Sequence, residues 1–324
     1  MTKRMLRPLG LGDIFDEAFD LYKDNFLFLV LVTTVAAVPL KIALALVEFR
    51  FLRDFHGLSG LFGGEVPDIT QIFAMLGTVA GSLAVLVPLY AVGLGLQTTA
   101  LASATSARYL ERSSTLRDAY RVPLRRLGPL VLAALLYGAL LVLGACVCYV
   151  GAALPLTLLA FTAHAFAVED QDTWRFWHAL GRSRRLVLGH GGRVFGALCV
   201  MGIVYLIVSV GIQLPVSYAL HGLLNAIPGA HAALGGSAGS RGIGLETQII
   251  DQVGGGLTSL IVVPFLMCAL TVLYYDLRVR SEAFDLELLA RDLHYPVQPW
   301  IAPRAQKQTR AVPRKPAPAK GVSS

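Results

Sequence analysis

Residues 128–168 read GPLVLAALLYGALLVLGACVCYVGAALPLTLLAFTAHAFAV, about 40 residues without an acid, a lysine or an arginine. A helix needs roughly 20 mostly apolar residues to cross a bilayer. The stretch is therefore long enough for two passes, with Gly144, Gly151 and Pro155 placed where a hairpin can turn. Outward from it, further apolar runs occupy 26–49, 71–100, 194–220 and 250–275. Together with 128–149 and 150–168 they make six expected spans. Backbone groups in lipid must satisfy one another, which leaves helices or closed barrels. Barrel strands alternate over ~10 residues. These runs are continuously rich in Leu, Ala and Val, so the expected fold class is all-α, a polytopic membrane protein.

Composition agrees. Of 324 residues 55% are hydrophobic and only 15% charged, and mean hydropathy is +0.62. A soluble domain carries roughly 25% charged residues, so this chain lacks the polar surface for water. Four cysteines, all in apolar runs, exclude a disulfide scaffold. The formal charge of +7 is almost wholly in the tail, since Arg304, Lys307, Arg310, Arg314, Lys315 and Lys320 follow the last acid, Asp292. No nucleic-acid-binding domain is indicated. The 22 Arg against 6 Lys read as the bias of a GC-rich bacterial genome.

Cytoplasmic loops carry an excess of Lys and Arg. Residues 1–25 hold 4, 101–127 hold 6, 169–193 hold 5 and 276–324 hold 9 of the 28. Lys41, Arg50, Arg53 and Arg241 are the remainder. With six spans, both termini are expected in the cytoplasm, the 221–248 loop outside, and 108–126, 170–193 and 280–324 inside. Ser183 and Ser237 are then expected on opposite sides. A cleaved signal is not expected, because Asp13, Asp16, Glu17, Asp20 and Asp24 precede the first apolar run.

Three inward segments, Leu11–Asn25, Ser114–Leu127 and Thr173–His190, each precede a pair of spans. In the first, Ile14, Phe15, Ala18, Phe19 and Tyr22 share a helical face opposite acids, as in a helix lying on the bilayer surface. In the second, Leu116, Ala119, Tyr120 and Leu124 oppose Arg117, Arg121 and Arg125. The second span of each pair carries a proline, Pro88, Pro155 or Pro264. A surface helix plus a helical hairpin, used three times, fits this pattern. Residues 294–324 form the other region, a tail dense in proline and basic residues. It is expected to be disordered, and either drawn loosely to anionic headgroups with Trp300 as an interfacial anchor or floating free as a solubilising tail.

Chemistry is sparse. Gly235-Gly236-Ser237-Ala238-Gly239 matches the nucleophile pattern G-x-S-x-G but sits in a Gly/Ala/Ser-rich loop, not between strand and helix. His190-Gly191-Gly192 has no nucleophile near it in sequence. Cys146-x-Cys148 lacks metal-ligand spacing. No cofactor motif occurs, so no catalytic, cofactor-binding or metal residue is expected. Polar residues in spans are costly and often functional. The candidates are His164 near the inner end of the fourth span, Asp251 and Gln252 near the outer end of the sixth, and Gln97, Thr98 and Thr99 ending the second. All are expected near an interface, where water reaches them. Gly77-x-x-x-Gly81 and Gly254-Gly255-Gly256 are expected to let helices approach closely.

Two stretches carry a resemblance. Residues 8–25, PLGLGDIFDEAFDLYKDN, and 274–286, YYDLRVRSEAFDL, resemble bacterial integral membrane proteins of the glycerophosphoryl diester phosphodiesterase membrane domain family. The resemblance covers about residues 8–290. The enzyme behind that family name carries a separate soluble barrel with paired His, acidic metal ligands and a phosphate site, which this chain lacks. The resemblance therefore implies a membrane module to which no catalytic residues transfer. Asp276, Arg278, Arg280, Glu282 and Asp285 are expected to pair with the acidic N-terminal helix and lock the two ends of the bundle together. The expected function is that of a non-enzymatic inner-membrane protein in lipid or envelope physiology. Its partners would be membrane lipids and a membrane protein or a second copy. The alternative is a small-molecule or lipid transporter using a cavity between the three hairpin units.

Overall fold

The computed structural model describes residues 9–56, 68–147, 149–168, 176–227 and 245–282. Among them every regular element is a helix. They are α1 (Leu11–Asp24), α2 (Phe26–His56), α3 (Ile69–Tyr109), α4 (Leu116–Arg125), α5 (Leu127–Val147), α6 (Ala153–Leu158), α7 (Thr162–Val168), α8 (Phe176–Val187), α9 (Gly191–Ala226) and α10 (Leu245–Glu282). Chain contacts separate Met1–Phe284 from Asp285–Ser324. The second unit, with the tail at 294–324 and Asp285, lies outside the described residues, as does the Gly235–Gly239 loop.

Five helices are long and apolar enough to cross a membrane among the described residues: Phe26–Val47, Ile72–Tyr109, Leu127–Cys146, Gly191–Ala226 and Gln252–Ser281. They are the helices of a multi-pass membrane protein. Most overshoot the expected spans. The 41 residues of α3 extend roughly 60 Å at 1.5 Å per residue, about twice a bilayer core.

Burial explains the excess length. The residues packed most tightly cluster where α1, the start of α2, the end of α3, α7, α8 and the second half of α10 meet. Away from that end the helices present apolar side chains outward. Phe73, Leu76 and Leu83 of α3, and Leu206, Ile207 and Tyr218 of α9, are all exposed. Such surface on a soluble protein would drive aggregation; in lipid it is the expected face.

The expected fourth span, 150–168, is not one helix. A 3₁₀ turn at Tyr149–Ala152 leads into α6, then a break at 159–161, then α7. The turn before it is tight because two glycines meet. A Cβ on Gly151 would lie 2.5 Å from the Gly144 carbonyl oxygen, and one on Gly144 2.7 Å from that of Gly151. The chain then returns towards the base of α5, where Arg126 donates to the Phe166 carbonyl. The break frees backbone groups that a helix would pair. Ser183 of α8 repairs it: its Oγ accepts from the Phe161 N–H at 3.1 Å and donates to the Leu158 carbonyl at 2.9 Å.

All three expected surface helices form, as α1, α4 and α8, but their packing differs from the sequence reading. In α1 the buried row is Ile14, Ala18 and Leu21, laid against α10, while Phe19 is exposed. Ser183, expected in water, is fully buried by its repair of the break. Proline does not single out the second span of each pair, since Pro39 and Pro215 also lie inside α2 and α9. Gly77 and Gly81 face open space, whereas a Cβ on Gly254 would lie 3.4 Å from Gln213 of α9; the tightest approaches among the described residues are at Gly144, Gly151 and Gly93.

Replacing Ser183 by Ala leaves a buried N–H and a buried carbonyl without partners. We expect a loss of about 2–3 kcal/mol, read as a lower midpoint of thermal unfolding in detergent. Arg184→Ala, one residue away and exposed, serves as the neutral reference.

Candidate functional site

Successive residues of a helix point about 100° apart. The run Tyr274-Tyr275-Asp276 in α10 uses that rotation to engage three neighbours. All three residues are buried. Tyr274 stacks on His164 of α7 with ring centroids 5.4 Å apart and meets Phe161 at 5.8 Å. Tyr275 stacks on Tyr109, the last residue of α3, at 5.2 Å.

Asp276 faces the N-terminal segment and α9. Its Oδ1 accepts from the Leu9 N–H at 2.8 Å. Arg280, one turn on, reaches both carboxylate oxygens through Nε at 3.1 and 3.0 Å. Arg193, in the first turn of α9, lies 3.1 Å from Oδ2. Both arginines also donate to the Leu9 carbonyl. The expected locking of the two ends thus occurs, with the Leu9 backbone tied to Asp276 and Arg280 of α10. Asp13 accepts from the Gly10 N–H and caps α1.

One turn before this run, Thr271 joins three helices. Its Oγ1 lies 2.9 Å from His164 Nε2, 2.6 Å from Thr105 Oγ1 of α3 and 2.7 Å from the Met267 carbonyl. One hydroxyl can accept from the first two and donate to the third, which satisfies it fully. His164 is completely buried, so the water expected there does not reach it. The sequence signal that misled is its apolar run, read as one straight span; the break at 159–161 turns α7 into the packed end. Gln97 and Thr99 are buried too, whereas Thr98 bonds the Leu94 carbonyl of its own helix. His190 is half-buried in the turn before α9, where Gly189 takes φ +93°. Cys146 is exposed and Cys148 lies outside the described residues. No group of His, Cys, Asp or Glu suited to a metal occurs among the described residues.

A groove of about 870 Å³ lies between α2, α3 and α4. Its walls are apolar, with Val35, Pro39 and Ala43 on one side and Leu89, Val92 and Leu96 on the other. Gly93 lets the helices touch there, since Leu40 Cδ2 occupies a position 2.2 Å from where a Cβ would be. Along the mouth runs α4. Its rows Leu116, Tyr120, Leu124 and Arg117, Arg121, Arg125 both border the groove. They are adjacent rows, not opposite faces, while Ala119 and Pro123 are the buried residues. Tyr120 Oη donates to the Val32 carbonyl of α2 and fixes α4 in place. Burial pushes this phenol up to about 12, so it remains a donor at neutral pH. Asp118 accepts from the N–H and hydroxyl of Thr115, and these bonds hold its carboxyl below the usual range.

Substituting Asp276 by Asn removes the charge between two partly buried arginines. Breaking a buried pair on one side is costly, and we expect a loss of roughly 3 kcal/mol in detergent melts. Arg280→Gln, which leaves Arg193 on the carboxylate, should cost less.

A family described as a domain of unknown function (DUF7847) matches residues 131–277, from α5 through Thr271, His164 and Asp276. No curated protein and no solved structure matches the chain.

Proposed function

We propose that the protein is a non-enzymatic integral protein of the bacterial cytoplasmic membrane that serves membrane-lipid or envelope physiology, alone or as accessory to a membrane-protein partner or a second copy. It crosses the membrane six times, as three hairpins: α2 with α3, α5 with the α6–α7 segment, and α9 with α10. The packed end and both termini are cytoplasmic. Each of these pairings is between chain neighbours in contact, and the turn at Gly144 and Gly151 supports the middle hairpin. The two end motifs further support kinship with the glycerophosphoryl diester phosphodiesterase membrane domain family.

The observation that carries the non-enzymatic reading is the use made of the interior polar groups. Asp276, Thr105, Thr271, His164 and Ser183 all bond backbone or one another across helices. They hold the bundle together instead of converging on a cavity. A second reading, a lipid or small-molecule transporter, is favoured by the apolar groove. That groove lies within the first hairpin and α4, not between the three units.

Two experiments test these readings. Single cysteines at Arg184 and Ser237, in a cysteine-free background, are exposed to an impermeant thiol reagent on intact cells. Position 237 should label and 184 only after permeabilisation; the reverse defeats the orientation. Purified protein should leave glycerophosphodiesters intact with or without divalent metal. Turnover abolished by His164→Ala would establish an enzyme.

A further inference from the structure

We propose that the groove between α2, α3 and α4 is a binding site for one anionic phospholipid of the surrounding bilayer. An acyl chain would lie between α2 and α3 and the phosphate against Arg117, Arg121 and Arg125. This rests on the reading that the helices are embedded in lipid, though not on which way they face.

The first observation is the division of chemistry along the groove. Its depth is walled by aliphatic side chains of α2 and α3. Its volume of about 870 Å³ falls in the range of small-molecule sites, roughly 300–1,000 Å³. Its mouth carries three guanidinium groups at i, i+4 and i+8, which a helix stacks along one side. Apolar depth beneath a cationic rim is the complement of an amphiphile with an anionic head.

The second observation is that these arginines have no structural task. Neighbouring arginines do. Arg108 lies over the Phe28 ring and donates to the Ser114 carbonyl, and Arg126 donates to the Phe166 carbonyl. Arg117, Arg121 and Arg125 are exposed and make no hydrogen bond among the described residues. The acid of α4, Asp118, feels the charges of Arg121 and Arg117. Its carboxylate is held at the helix cap by Thr115, so α4 keeps an excess of two positive charges. Guanidinium groups bind phosphate oxygens in bidentate fashion. Such an anchored phosphate places a lipid tail at the groove.

The third observation is rigidity. Tyr120 ties α4 to the Val32 carbonyl, and the cap at Thr115 fixes its first turn. The rim is thus held over the groove before a lipid arrives, which lowers the ordering cost of binding.

The test uses the full chain, purified and placed in nanodiscs of mixed phosphatidylglycerol and phosphatidylcholine. Lipids retained after release from the nanodisc are counted by native mass spectrometry. Wild type should retain phosphatidylglycerol over phosphatidylcholine by about tenfold, as expected for several basic groups near an anionic head. The triple variant R117Q/R121Q/R125Q should bring the two lipids to parity. Val92→Trp, which fills the groove, should lower retention of both. Should Val92→Trp fail to fold, Ala43→Leu narrows the groove from the opposite wall. The variant R184Q/R185Q, exposed on α8 and away from the groove, should keep the wild-type preference. Inorganic phosphate at millimolar concentration should not displace the lipid.

Parity in wild type overturns the proposal. So does an unchanged preference in the triple variant, or its equal loss in the α8 variant, which would mean general charge attraction. Displacement by inorganic phosphate would mark a free-anion site instead. The lipid preference is read whichever side α4 faces, so failure here is distinct from failure of the orientation, which thiol labelling reads.

Discussion

The bundle depends on Asp276. A carboxylate taken out of water is expensive unless fully engaged, and here every neighbour is supplied by a different part of the chain. The Leu9 N–H comes from the N-terminal segment, Arg193 from the start of α9, and Arg280 from the next turn of α10. Because the two arginines also share the Leu9 carbonyl, the charge cannot be satisfied with α1 displaced. The interaction contributes modest net stability by the usual balance of desolvation and attraction. Its effect is on specificity: it selects one register of α1 against α10.

Around that fixed point the molecule divides by solvent. At the packed end, hydroxyls, rings and charges meet across helices, and helix faces are buried against protein. Beyond it, α3 and α9 are apolar all round, as befits segments whose neighbours are acyl chains. Association of such helices gains little from hydrophobicity, since lipid is as apolar as leucine. The polar contacts therefore do at one end what a hydrophobic core does in a soluble domain. The groove between α2 and α3 marks where the two regimes meet.

Helix positions were legible in the sequence because apolar run length reports them directly. The role of Asp276 was legible in outline, from alternating charges after the last run, although its partners are the Leu9 backbone, Arg193 and Arg280. What was not legible follows from local breaks. An uninterrupted apolar run gives no sign that it bends at 159–161, and so His164 was placed near water when it is buried against Tyr274 and Thr271. Ser183 sits between arginines in sequence, which signals a solvated surface; only the tertiary position of the break makes it an interior hydrogen-bond partner. The three arginines of α4 were read as an opposite face because helical rows 100° apart look separate on paper. A groove placed at their boundary makes them neighbours.

The repair of the α6–α7 break has a consequence for biosynthesis. The hydroxyl that pairs Phe161 N–H lies 22 residues later in the chain. While the ribosome is delivering the segment up to Val168, no later residue exists to pair those backbone groups. The segment cannot then rest in its final form in a hydrocarbon environment, where unpaired peptide groups are costly. Its final form therefore requires α8 beside it. The break between α6 and α7 and the helix that completes it are thereby made interdependent, although they are separate in sequence.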